Sequence, residues 1–130
     1  MGEINTMEID KIFEMLSWDN DIEIQRRGIL EAEKITHLSV FLQPIESKSI
    51  WENCAKILSS KSDKELELYL IDLFRWLQDM NWPGAYIIYD RLQKMSFEFI
   101  KFAYTFCLNM ATKTEDHMWE EALKDFIMKK

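Results

Sequence analysis

The residues best placed for acid–base or metal chemistry lie near the carboxyl end of the chain. His117, Glu120 and Glu121 form an H-x-x-E-E pattern, and spacings of three and four residues put these side chains on one face of a helix. A metal site needs further ligands, and His37 is the only other histidine. We therefore predict no metal and no cofactor.

Nucleophilic catalysis has equally little support in the sequence. Cys54 and Cys107 lie far apart without C-x-x-C spacing, each among apolar residues, so we predict buried, reduced thiols of a cytoplasmic protein. Asp79 has no histidine or second carboxylate at a fixed spacing, and no G-x-S-x-G, P-loop or dinucleotide motif occurs. The sequence predicts a protein without catalytic residues, with an enzyme of unknown chemistry as an alternative.

The segment WLQDMNWPGA, residues 76–85, concentrates tryptophan, proline and glycine in a chain that has few of the last two. Trp76 is predicted to end one helix, and Pro83 to begin the next, where its missing N–H costs nothing. Trp82 precedes the proline and is therefore excluded from the helical region. Gly84 leaves room for a neighbouring helix, so the segment predicts a tight corner between two helices.

The same corner is the best candidate for a binding surface. Asp79 or Asn81 is predicted to accept hydrogen bonds from the start of the second helix. A tryptophan beside polar residues is also typical of a binding hot spot. We take Trp51, Asp79, Asn81 and Trp82 as the candidate interaction patch, with a purely structural corner as the alternative.

Apolar residues recur at helical spacing along nearly the whole chain, which has only three glycines and two prolines. This pattern predicts an all-α protein of six to eight helices. The predicted core stripes are Ile9, Ile12, Phe13 and Leu16; Ile50, Cys54, Ile57 and Leu58; Leu66, Leu70, Leu73, Phe74 and Leu77; Ala85, Ile88, Leu92 and Met95; Phe99, Ala103, Phe106 and Met110; and Trp119, Ala122, Leu123, Phe126 and Ile127.

Helix boundaries follow from capping residues. Residues 20–44 form either one helix that runs to Pro44 or two helices with a break near Thr36. The predicted N-caps are Asn5, Asn20, Ser62 and Ser96. Glu23 is predicted to complete a capping box with Asn20, and Glu65 one with Ser62.

Similar patterns begin at residues 49, 84 and 117, and the helices after the first two start about 34 residues apart, a spacing of helical-pair repeats. We predict a single domain over residues 1–130 that is a short HEAT-like α-solenoid of antiparallel helix pairs. An ordinary helical bundle with coincidental spacing is the alternative.

The net charge of −7 is concentrated near the amino terminus, where residues 1–35 hold nine acidic and four basic residues. An acidic surface repels phosphate, so we predict no nucleic-acid partner and favour a basic protein, unless the charge serves only solubility. The first residues are polar and no apolar run is long enough to span a bilayer, which predicts a cytoplasmic protein without membrane contact.

Residues 51–92 resemble a family of small uncharacterised bacterial proteins, a domain of unknown function with the signature W-L-Q-D-x-N-W-P-G-A. The resemblance implies a HEAT-like helical fold and no established activity, and such proteins are often suspected of being immunity proteins. The matching positions are Trp51, Glu52, Asn53, Cys54, Ala55, Leu58, Ser62, Asp63, Trp76, Leu77, Gln78, Asp79, Asn81, Trp82, Pro83, Gly84, Ala85, Arg91 and Leu92.

Composition, motifs and resemblance together favour a non-enzymatic protein-interaction module of the bacterial cytoplasm. A more specific alternative is an immunity protein that neutralises a bacterial toxin, because an acidic amino-terminal third suits a basic toxin such as a nuclease. The sequence leaves the partner and the oligomeric state open.

Overall fold

The computed structural model describes residues 6–45 and 47–130, and in these ranges every regular element is helical and none is a strand. The all-α prediction is confirmed. No helix in the described ranges combines the length and apolar character that crossing a membrane requires. The helices are α1 (Thr6–Leu16), α2 (Ile22–Ala32), α3 (Trp51–Ser59), α4 (Asp63–Leu66), α5 (Leu70–Arg75), α6 (Ala85–Gln93), α7 (Phe97–Lys113) and α8 (His117–Met128), with 3-10 turns at Leu38–Phe41, Lys48–Ile50, Glu67–Tyr69 and Trp76–Gln78.

Two predicted caps begin the helices where expected. The Ser62 hydroxyl accepts from the Glu65 backbone N–H at 3.1 Å, and the Glu65 carboxylate accepts from the Ser62 N–H at 2.9 Å, which completes the capping box of α4. Ser96 accepts from the Phe99 N–H at 3.2 Å and caps α7. These short-range signals are therefore confirmed.

The predicted cap at Asn20 is wrong. Asp21 caps α2 by accepting from the Ile24 N–H at 3.1 Å, so Glu23 completes no capping box with Asn20. The Asn20 amide instead donates to the Glu14 carbonyl at 2.6 Å. It thus satisfies an orphan carbonyl at the end of α1. The predicted cap at Asn5 lies outside the described residues.

Residues 20–44 do not form one long helix. The chain breaks near Thr36, as the second alternative predicted, although the second helical element is a 3-10 turn and not an α-helix. The helix α2 ends at Ala32, and after a short irregular stretch the chain forms the 3-10 turn Leu38–Phe41. Leu38 and Phe41 are buried in this turn, which packs on α3. The segment therefore anchors the amino-terminal helices to the rest of the core.

The main packing contacts join particular pairs of elements. α2 packs on α1, α3 packs on α6, α5 packs on α7, and α8 packs on both α7 and the 3-10 turn Trp76–Gln78. The predicted stripe from Leu66 to Leu77 is buried as expected, although the 3-10 turn Glu67–Tyr69 divides its helix into α4 and α5.

An aromatic cluster joins the carboxy-terminal helices. The rings of Phe74 and Tyr89 meet Phe126 edge to face, with centroids 5.3 and 5.4 Å apart. Tyr104 stacks on Phe126 at 6.1 Å, and its hydroxyl donates to the Leu123 carbonyl at 2.8 Å. Such contacts stabilise a core beyond the burial of area alone.

The predicted core stripe of α7 is wrong at two positions. Phe106 and Met110 are exposed, and Phe99 is only half-buried, although Ala103 is buried as expected. The physical reason is that α7 is apolar on two faces, and the face that meets α5 and α8 is the one that carries the Tyr104 hydrogen bond. The buried residues of α7 are Ile100, Ala103, Tyr104, Cys107 and Ala111.

Cys54 and Cys107 are buried and form no disulfide, as predicted. Burial raises the pKa of the Cys107 thiol to about 12, and its sulfur lies 3.8 Å from the Ile71 carbonyl. We expect maleimide to label Cys107 far more slowly in the native protein than in guanidinium at pH 8, because the folded thiol is almost fully protonated. Mass spectrometry of timed samples measures this, and equal rates in both conditions would contradict it.

Candidate functional site

The corner predicted between two helices is a double turn. The Trp82 N–H donates to the Asp79 carbonyl at 3.0 Å, and the Ala85 N–H donates to the Trp82 carbonyl at 3.1 Å. Gly84 has φ +84° and ψ −8°, the values of the third residue of a type II turn, in which proline favours the second position. Pro83 therefore lies in the turn. The prediction that it begins the helix is wrong, because α6 starts at Ala85.

The predicted capping by Asp79 or Asn81 is also wrong. The Asp79 carboxylate accepts from the Asn81 backbone N–H at 2.9 Å, so it stabilises its own turn. The N-cap of α6 is Gly84, whose position has no side-chain cap. Short polar side chains commonly bond their own backbone in this way.

Gly84 allows α6 to approach α3 closely, as predicted. A Cβ atom at this position would lie 2.7 Å from the Ala55 Cβ, 3.0 Å from the Trp51 carbonyl oxygen and 3.2 Å from the Trp76 ring. Its positive φ also disfavours any L side chain. Conformation and space therefore both require glycine at this contact.

Trp51 and Trp76 lie at this contact, and the Trp82 ring packs on that of Trp51. Trp51 meets the rings of Trp76 and Trp82 edge to face, with centroids 6.1 and 5.7 Å apart. The indole N–H of Trp51 donates to the Pro44 carbonyl at 2.6 Å, and that of Trp76 donates to the Pro83 carbonyl at 3.0 Å. Trp76 is fully buried, Trp51 nearly so and Trp82 half-buried, so Trp82 is the indole that faces outward.

A lysine completes the surface. The Lys48 ammonium lies 5.5 Å from the Trp51 ring centroid and 5.9 Å from that of Trp82, within the range of a cation–π contact. Ile45, one residue after the carbonyl that Trp51 binds, is 96% exposed. We define the tryptophan corner as Ile45, Lys48, Trp51, Asp79, Asn81 and Trp82.

The structure brings the four predicted patch residues together. Asp79 is half-buried and Asn81 exposed, and both lie in the turn that carries Trp82. Trp51 is buried, and its ring packs edge to face against that of the more exposed Trp82. Sequence reasoning missed Ile45 and Lys48, which lie 37 and 34 residues before Trp82, because no local signal places so distant a loop beside this turn.

Two residues of the H-x-x-E-E pattern, His117 and Glu120, lie close together on α8, whereas the third, Glu121, is exposed and belongs to no ion pair among the described residues. The Glu120 carboxylate lies 3.7 Å from His117 Nδ1 and 3.4 Å from the Lys124 ammonium, and a hydrogen bond from Thr112 lowers its pKa. His37 is exposed at the start of a distant 3-10 turn. In the part of the chain that the structure describes, no three histidine, cysteine or carboxylate side chains converge as metal ligands would.

Fold and surface define the chain as an all-α domain that presents a tryptophan-lined turn. The family model described as Domain of unknown function (DUF5071) matches residues 50–130, and the chain belongs to this family. The resemblance of residues 51–92 to a domain of unknown function is thus confirmed, and the match extends to residue 130. No curated protein and no solved structure matches the chain.

We expect Gly84→Ala to destabilise the protein by about 2–4 kcal/mol, because a residue with positive φ and an overpacked contact each cost roughly 1–3 kcal/mol. For a domain of this size the melting temperature should fall by about 10 °C. Asn81→Ala is the matched control, because its exposed side chain leaves the turn intact. Thermal melts by circular dichroism measure both, and a Gly84→Ala variant within about 2 °C of the wild type would contradict the close contact.

Proposed function

We propose that the chain is a non-enzymatic protein-interaction module of the bacterial cytoplasm and that it binds its partner through the tryptophan corner. The observation that supports this proposal is the half-exposed Trp82 indole held between Trp51 and Lys48. Tryptophan is the residue type most enriched in binding hot spots, which lie in a well-packed setting with polar neighbours around them. Asn81 is an exposed polar residue of the same turn, and the exposed Ile45 follows the Pro44 carbonyl to which the Trp51 indole donates.

The corner also leaves binding groups unused. Trp51 and Trp76 donate their indole N–H groups within the domain, whereas no hydrogen bond among the described residues uses that of Trp82. Together with the Lys48 ammonium it offers two donors beside an apolar ring. A partner segment with an apolar side chain next to a backbone carbonyl or carboxylate suits this arrangement.

We also propose a HEAT-like arrangement of antiparallel helix pairs for the family-matched region. Its support is that corresponding helices are neighbours, α3 with α6 and α5 with α7. α8 continues the series, since Tyr89 of α6 donates to Asp125 of α8 at 2.8 Å. Stacked pairs of this kind leave their loops on one edge, and the tryptophan corner lies in such a loop.

The test captures partners from the source cells by cross-linking and then titrates each purified partner against variants. Ile45→Glu and Trp82→Ala should weaken binding by about 30-fold or more, the size of a hot-spot loss. Leu68→Glu is the matched control for Ile45→Glu, because Leu68 is 87% exposed in a 3-10 turn outside the corner, and it should bind like the wild type.

Two results would contradict the proposal. One is a partner whose affinity is unchanged by Ile45→Glu and Trp82→Ala. The other is a Trp82→Ala variant that loses binding only because it has unfolded, while Ile45→Glu binds normally. Thermal melts of each variant therefore accompany the titrations, and the half-buried Trp82 should cost less than the roughly 3–5 kcal/mol of a fully buried tryptophan.

We propose immunity against a basic bacterial toxin as a second function, supported by a groove between α1 and the turn Lys48–Ile50. Phe13 and Ile50 line this groove of about 290 Å³, and the Asp10 and Glu14 carboxylates lie one turn apart on its rim. Among the described residues neither carboxylate has an ion-pair partner. A basic side chain with an aliphatic stem matches such a groove.

This second function predicts a toxin gene beside the gene of this chain. Co-expression of the chain should protect cells from that toxin, and Asp10→Lys with Glu14→Lys should abolish protection by reversing the charge of the groove. Glu23→Lys is the control, since Glu23 is an exposed acid on α2 that pairs with Arg26. Survival that does not differ between these variants would rule out the groove.

A further inference from the structure

The outer face of α7 carries an unpartnered row of large apolar side chains. Phe102 is 77% exposed, Phe106 43% and Met110 38%, and the spacing of four residues places them one above the other. The rings of Phe102 and Phe106 lie 6.4 Å apart. Contiguous apolar side chains on a regular helix mark an interaction surface more strongly than scattered ones do.

A recess lies beside this row, between α5, α7 and α8. Its volume is about 280 Å³, and Ile71, Arg75, Phe106, Met110 and Trp119 are among the residues that line it. The walls are largely apolar, with one guanidinium at the rim. An aromatic ring that entered the recess would meet apolar side chains and a cation, both favourable for a phenyl group.

We infer that a second copy of this chain covers the face, with two α7 helices packed antiparallel about a twofold axis. An axis that passes between Thr105 and Phe106 places Phe102 of each copy next to Met110 and the recess of the other. A twofold interface makes every such contact twice. The row and the recess thus supply both halves of one interface.

The charges on α7 are complementary under the same symmetry. Glu98 lies in the first turn of α7 and Lys113 in the last, and the proposed axis brings each Glu98 to the Lys113 of the other copy. Neither side chain has an ion-pair partner among the described residues. Antiparallel packing therefore pairs two charges that are unpaired within one copy.

The distribution of charge favours a second copy over a basic protein at this face. The acidic excess lies in residues 1–35, whereas α7 carries one acidic residue and two lysines, Lys101 and Lys113. Two α7 faces can therefore meet although each chain has a net charge of −7. A face 17 residues long, about 25 Å, lies at the small end of specific interfaces, so we expect a reversible dimer.

Sedimentation equilibrium of the full chain over a wide range of concentration tests this inference. The weight-average mass should rise from 15.7 kDa toward twice that value. Phe102→Glu should raise the dimer dissociation constant about 100-fold or more, because the side chain is used twice. Tyr86→Glu, which changes an exposed aromatic residue of α6, should dimerise like the wild type.

Charge reversal tests the antiparallel register. Lys113→Glu alone should weaken the dimer roughly tenfold, because two exposed ion pairs become repulsive. Combining Lys113→Glu with Glu98→Lys should restore wild-type affinity. Circular dichroism of every variant confirms that the helical content is unchanged.

Three outcomes would overturn the inference: a wild-type chain that stays at 15.7 kDa at every concentration, a dimer unaffected by Phe102→Glu, or a monomer that loses a different captured protein on Phe102→Glu. None of them bears on the tryptophan corner, whose test uses Ile45 and Trp82. The two proposals therefore fail independently.

Discussion

The close contact of α3 and α6 at Gly84 is the constraint on which the rest of the structure depends. The left-handed conformation of Gly84 turns the chain into α6, and its missing side chain brings α6 against Ala55. Two indoles, Trp51 and Trp76, then close around the contact. A single substitution at Gly84 would both strain the backbone and separate the two helices, so this position couples turn geometry to core packing.

The position of α6 also fixes its hydrogen bonds to the end of α3 and to α8. Its Arg91 guanidinium donates to the carbonyls of Ser59 and Lys61 at 3.1 and 2.7 Å, where α3 ends. On the other side, Tyr89 donates to Asp125 of α8, and burial together with this hydrogen bond raises the pKa of Tyr89 to about 12. The phenol therefore stays protonated, and remains a donor, throughout the neutral range.

The elements that sequence reasoning predicted correctly are those with local signals. The Ser62–Glu65 capping box and the Ser96 cap involve residues three apart, and the helical spacing of buried residues is short-range as well. The face of α7 could not be predicted in the same way, because apolar residues occupy two adjacent faces of its segment. The buried face is the one whose Tyr104 hydroxyl bonds the distant Leu123 carbonyl. The turn in WLQDMNWPGA was predictable because its signals are local. The position of Lys48 over the Trp82 ring was not, because the two residues are far apart in the sequence.

The two proposed surfaces differ in how much of their chemistry the fold itself explains. Trp82 packs on Trp51, so an aromatic ring there has a structural purpose even without a partner. Phe102 has no comparable purpose, since three quarters of its surface faces solvent and a charged residue would suit an exposed helical position better. Packing within the domain therefore explains part of why aromatic residues occur in the tryptophan corner. It explains almost nothing of why they occur in the α7 row. A bulky ring that its own domain does not need is best explained by contact with another chain.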